Sequence, residues 1–275
     1  MWRFGVRIST ILMLIAAPAA ATEKQPVVPS MRGKVESVAA RCEAPADLLA
    51  LKAPMLQVAQ RLAEGKQLTI VALGSSSTEG VGATTPAHAY PARLETELHA
   101  LLPHMQITVL NKGIGGEDAD QMMARFERDV LAPEPDLLIW QAGVNAAIKG
   151  LPLAGVTATM SRGIELARSR GIDVMLMGPQ NAPRYVNAPH RREYTEALTD
   201  LARRYNAPIF PRFRVMTHWM VSGAFKPDEL IREDGLHMTD AGYYCLARLL
   251  ARAIANEPRT RAVAGETPAP AASSR

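Results

Sequence analysis

The chain has 275 residues, 48% of them apolar, which is enough for one full-sized hydrophobic core. Its formal net charge is +4, and arginines scattered along helical stretches without interleaved aromatics argue against a nucleic-acid partner. Past the N-terminal segment, no run is long and apolar enough to span a bilayer.

At the N-terminus, Arg3 and Arg7 precede an apolar run from Ile8 to about Ala17 and small residues ending Ala19-Ala20-Ala21. The run is too short for a membrane span, and its charged start and small-residue end predict a signal peptide over 1–21. A periplasmic or secreted protein is expected, with no stable membrane insertion after cleavage; a retained N-terminal anchor is the competing reading. Cleavage leaves 29 basic against 27 acidic residues, a formal charge of +2. Cys42 and Cys245 are the only cysteines. In an oxidising compartment they either close a loop of roughly 200 residues or remain two buried thiols, and spacing alone leaves both readings open.

Residues 22–66 read as a polar, Pro-containing linker followed by helix. Leu48, Leu51, Met55, Val58, Ala59 and Leu62 recur at three- and four-residue steps, and Pro54 divides the pattern into two short helices. A single α/β domain is predicted over 67–256. Short apolar runs at 68–73, 107–111, 136–142, 173–178 and 207–210 predict buried strands, and amphipathic patterns at 91–102, 118–131, 156–170 and 189–205 predict the helices between them. This alternation implies a five-stranded parallel sheet covered on both faces. A last helix spans 240–255 with Thr239 as its cap, and 257–275 reads as a disordered tail.

In an open parallel sheet, ligands bind beyond the carboxyl ends of the strands. There the chain presents Gly74-Ser75-Ser76-Ser77-Thr78, then Asn111-Lys112-Gly113-Ile114-Gly115-Gly116, then Gly143-Val144-Asn145. A hydroxyl, unobstructed backbone N–H groups and a carboxamide are what acyl transfer requires, because attack on a carbonyl creates an oxyanion that needs preorganised donors. Asp234 and His237, three residues apart before the last helix, supply an orienting carboxylate and a base. Each piece alone has a plainer reading as a turn, a cap or a satisfied polar group; their conjunction in this order points to one mechanism.

These residues resemble the four blocks of the SGNH hydrolase superfamily, also called GDSL esterases. Gly74, Ser76 and Thr78 match the first block, Asn111 and Gly116 the second, Gly143 and Asn145 the third, and Asp234 and His237 the last. The resemblance implies a three-layer α/β/α flavodoxin-like fold over about 67–250 and hydrolysis of an ester or thioester without a metal or other cofactor. It selects Ser76 as nucleophile over Ser75 and Ser77. It also implies an oxyanion hole from the Ser76 and Gly116 N–H groups and the Asn145 side chain. Two departures stand out: Ser75 and Ala146 occupy places where the superfamily commonly has aspartate.

The expected partner is a small-molecule or carbohydrate acyl ester, with Asn181 and Tyr185, in the loop 178–190, as candidate substrate contacts. Longer acyl chains, as for a lysophospholipase or thioesterase, are the alternative. A nucleotide-binding rival fails because the run from Gly113 to Asp118 breaks G-x-G-x-x-G at its last place and sets two acids where phosphate would sit. An idle carbohydrate-binding module on the same fold is the second rival.

Overall fold

In the computed structural model, which describes residues 38–257, the five apolar runs form one parallel sheet. β1 (Gln67–Gly74), β2 (Gln106–Gly113), β3 (Leu137–Trp140), β4 (Asp173–Met177) and β5 (Ile209–Phe210) lie in the order β2-β1-β3-β4-β5. The chain steps outward from β1 to β2 and then crosses back to β3, so the direction of winding reverses between β1 and β3. This is the flavodoxin-like order, and its switch point is where such sheets bind ligands. Register aligns Gly74 with Gly113 and Leu73 with Trp140, so three strand ends finish at one rim.

The strands read as continuous apolar runs because both faces are covered. Leu137, Leu138, Ile139 and Trp140 are all fully buried, as are Ile70 to Leu73. In chain order the helices are α1 (Ala46–Leu49), α2 (Leu56–Glu64), α3 (Ser76–Glu79), α4 (Tyr90–Leu101), α5 (Ala119–Ala124), α6 (Val144–Lys149), α7 (Leu153–Ser169), α8 (Pro183–Val186), α9 (Arg191–Arg204), α10 (Arg212–Val221), α11 (Pro227–Leu230) and α12 (Asp240–Ala255). α12 packs along α4 and reaches α1, while α5, α7 and α9 pack in succession, giving a three-layer α/β/α molecule.

Pro54 does separate two short helices, α1 and α2. Met55, the N-cap of α2, has no side-chain acceptor, so distant carboxylates serve instead: Glu257 accepts the Met55 N–H (2.8 Å) and Asp173 the Val58 N–H (3.0 Å). Thr239 caps α12 by accepting the Gly242 N–H, as its place in the sequence suggests.

Three expectations need correction. The helix expected over 118–131 breaks at Arg125, where φ is −113° and ψ 9°, and resumes as a π turn over Glu127–Leu131. The strand expected over 207–210 shortens to Ile209–Phe210. α10 and α11 occupy a stretch in which no helix was predicted; the buried face of α10 begins with Arg212, and a cation at that position hides the apolar period. The cysteine question is decided: Cys42 and Cys245 form a disulfide with Cα atoms 4.9 Å apart, joining the N-terminal segment to α12. The predicted signal peptide and the C-terminal tail lie outside the described residues.

Candidate active site

Ser76 is the first residue of α3, at the turn that leaves β1. The turn is pinned from below by Gln141, just past β3, whose Oε1 accepts the Ser75 N–H (3.1 Å) and the Thr78 hydroxyl (3.1 Å). α3 lies directly on the end of β2, because Gly113 has no Cβ; one built there would overlap the backbone of Thr78 and Glu79. Asn111 completes the joint: its Oδ1 accepts the Gly113 N–H and its amide donates to Glu79 O.

His237 and Asp234 approach from the loop before α12. His237 Nε2 is 2.8 Å from Ser76 Oγ, and its Nδ1 is 2.6 Å from Asp234 Oδ2. A carboxylate can only accept, so Nδ1 carries the proton and Nε2 turns its lone pair to the hydroxyl. The other Asp234 oxygen accepts the backbone N–H groups of Leu236 (2.8 Å) and His237 (2.9 Å). Burial pushes the Asp234 carboxyl up, but the His237 N–H, the imidazole and the Leu236 N–H together outweigh it and hold the group down at about 2. A linked carboxylate, imidazole and hydroxyl can draw a proton from the hydroxyl as its oxygen attacks.

The glycine loop closes the other side. Gly116 has φ +79°, a left-handed conformation in which a side chain would be strained. A Cβ at Gly115 would stand 3.9 Å from Ser76 Cβ, which puts this loop beside the hydroxyl. Asn145 donates one amide hydrogen to Glu117 O (2.8 Å), and Lys149 donates to Gly116 O (2.9 Å), so two successive carbonyls are held by one helix, α6. The second Asn145 amide hydrogen has no acceptor among the described residues. Neither the Ser76 nor the Gly116 N–H donates to another group among the described residues.

The model of the Non-GDSL lipase-like family matches residues 41–260. The chain belongs to this family, and with it to the SGNH hydrolase superfamily. It is 29% identical over 143 residues to an arylesterase of Vibrio mimicus, across 50% of this chain and 66% of that protein. It is 35% identical over 78 residues to an acetylxylan esterase of Geobacillus stearothermophilus, across 28% of this chain and 36% of the other. The chain therefore spans less than two thirds of either relative's length. A two-domain esterase active on acetylated mannans has the same fold, with a TM-score of 0.64 at 24% identity, covering 82% of this chain and 60% of that one.

In this family member, all the residues named for the reaction meet at one rim: Ser76, Asp234 and His237 in one hydrogen-bonded chain, with Gly116 and Asn145 in the adjoining loop system. The two substrate contacts fare differently. Tyr185 is corrected: it is 1% exposed and its hydroxyl is engaged by Arg191 O and Thr195 Oγ1, so it packs the core of its loop and offers no atom to a ligand. Asn181 donates to Thr217 Oγ1 and lines a cavity of about 950 Å³ with Met220, Arg232 and Gly235, which neither Ser76 nor His237 lines.

The loop's link to the site is Gln180, which sequence reasoning passed over. It is buried and donates to Leu236 O and Ser77 Oγ (3.3 Å each), while its Oε1 accepts from the fully buried Arg212 (2.7 Å). Burial lowers the Arg212 guanidinium to about 10. Gln141 did leave a signal, as a polar residue inside an otherwise apolar strand run. Gln180 and Arg212 left none, since their partners come from distant segments.

Proposed function

We propose that this protein is an exported serine esterase that works through an acyl-enzyme on Ser76. The observation that carries the reading is the unbroken chain from Asp234 through His237 to Ser76, at 2.6 and 2.8 Å, in a loop system where the Ser76 and Gly116 N–H groups have no acceptor among the described residues. His237 Nε2 takes the Ser76 proton as Oγ bonds to the ester carbonyl carbon. The carbonyl oxygen becomes an anion received by the Ser76 and Gly116 N–H groups and the Asn145 amide. Collapse expels the alcohol, which takes the proton from His237. Water then attacks the acyl-enzyme with His237 as base and releases the acid. Asp234 holds the imidazole in the required tautomer and stabilises the imidazolium.

For the substrate, we propose short acyl esters, above all acetyl groups on carbohydrate. Val81 and Ile114 are exposed apolar side chains on the loops that follow α3 and β2. Relatives named for arylester and acetylxylan hydrolysis, and the fold shared with an esterase active on acetylated mannans, support this choice. The charged start and apolar run of residues 1–21 support export to the periplasm or beyond.

The test is an ester series from acetyl to dodecanoyl on purified protein, run beside acetylated xylan and mannan and lysophospholipid, with fluorophosphonate labelling mapped by mass spectrometry. Rates highest at acetyl, with the label on Ser76, are expected. A maximum at long chains overturns the substrate choice in favour of a lysophospholipase or thioesterase; no turnover and no label would leave a binding module.

A further inference from the structure

Arg125 stands where the expected helix over 118–131 breaks, and its side chain is 7% exposed. A buried guanidinium needs one carboxylate, and Asp129 supplies it: Nη1 donates to Asp129 Oδ2 at 2.8 Å. The remaining donors go elsewhere. Nε and Nη2 both reach Glu117 Oε2, at 2.9 and 2.6 Å, and Nη2 also donates to Lys112 O (2.9 Å) and Gly74 O (3.3 Å). Gly74 is the last residue of β1, two before the Ser76 hydroxyl. Lys112 and Glu117 bracket the glycine loop that carries the Gly116 N–H. Glu117 is thereby gripped twice, on its carboxylate by Arg125 and on its carbonyl by Asn145.

We propose that Arg125 is a positioning residue for the hydrolysis, one that sets the separation between Ser76 and the glycine loop. The inference rests on the Ser76 acyl-enzyme reading. A planar fork fixes the directions of its hydrogen bonds, so one buried group ties the exit of β1 to both ends of the loop. An oxyanion stabilised by backbone N–H groups depends on their placement, and displacement of about 1 Å at a reacting centre costs roughly 100-fold in rate. The ground-state ester makes less use of those N–H groups, so the loss belongs in kcat and not in KM.

The experiment compares Arg125→Lys, Glu117→Ala, Asp129→Asn and Ser76→Ala on an acetyl ester, at a temperature where circular dichroism shows each folded. Arg125→Lys keeps the charge and loses the fork; kcat is expected to fall about 30-fold with KM within about threefold. Glu117→Ala removes the loop's handle and leaves Arg125 paired to Asp129, so kcat falls about tenfold with KM unchanged, and it carries the test if Arg125→Lys does not fold. Asp129→Asn, whose one contact with the glycine loop is the long 3.7 Å ion pair to the Lys112 ammonium, lowers the melting temperature and leaves kcat within about threefold. A folded Arg125→Lys with wild-type kcat overturns the proposal, as does Glu117→Ala with wild-type kcat, or Asp129→Asn as slow as Arg125→Lys. Turnover by Ser76→Ala at the wild-type rate would overturn the nucleophile assignment instead, whatever the Arg125 variants do.

Discussion

Asp234 at the carboxyl end of the sheet and Asp173 at its amino end both accept backbone N–H groups, yet their carboxyls move in opposite directions. Asp173 is raised to about 6: burial dominates, and the N–H groups of Val58, Gln57 and Leu56 only partly offset it while Glu257 adds repulsion. Burial is also the largest influence on Asp234, but the His237 imidazole joins two backbone donors there and the group falls to about 2. Hydrogen bonds to peptide N–H groups do not by themselves keep a carboxylate ionised; Asp173 is the more deeply buried and stands beside Glu257, whereas Asp234 is exposed, so its backbone and imidazole donors outweigh the cost of burial. The amino end spends its acids on holding α2 in place. The carboxyl end spends one on orienting a proton acceptor.

The contrast breaks most sharply at Ser76. Ser76→Ala should lower kcat/KM by at least about 10⁴-fold with the fold intact, as read by ester turnover and circular dichroism; a mutant at wild-type rate would dissolve any functional difference between the two ends. Asn145→Ala comes next, with an expected loss of about 10²–10³ in kcat, because one oxyanion donor disappears and Glu117 O loses its partner. Breaking the disulfide with paired Cys42→Ser and Cys245→Ser should cost about 2–4 kcal/mol of stability, measured by denaturant unfolding, with kcat near wild type at 25 °C.

Two pH measurements sharpen the comparison. Asp234 stays a carboxylate down to about 2, so its own ionisation should leave no mark on the pH dependence of kcat/KM above about pH 3. At the amino end the sign reverses. A carboxyl raised in the folded state binds its proton more tightly there than in the unfolded chain. Its contribution to stability is therefore present below the ordinary value of about 3.9 and lost as pH rises through about 6. Asp173→Asn keeps an oxygen to accept the Val58 N–H and should flatten that fall in melting temperature between pH 4 and 7 without altering kcat. An unchanged slope would place the destabilising charge elsewhere, with Glu257, also raised by burial, as the next residue to vary.

Much of this was legible before any coordinates. Apolar runs of strand length alternating with amphipathic stretches announce a parallel sheet, since both faces of each strand must be buried, and Ser76, Gly116, Asn145, Asp234 and His237 stand at the loop positions that such a sheet brings to one rim. The resemblance to a known superfamily added the choice of Ser76 among three serines. What escaped were the buried supports that reach the site and α2 from distant segments: Gln141 under the nucleophile turn, Gln180 and Arg212 beneath the His237 loop, and the two carboxylates capping α2.

Sequence alone thus determined the class of fold and the candidates for the reacting groups, because periodicity and strand-end position are local properties of the chain. Tertiary structure alone decided that Cys42 meets Cys245, that Tyr185 is core and not ligand contact, and that Arg125 turns back to grip the glycine loop. Burial, charge and hydrogen-bond partners are relations between segments far apart in the chain, and only the folded arrangement brings those segments within a few ångströms of each other.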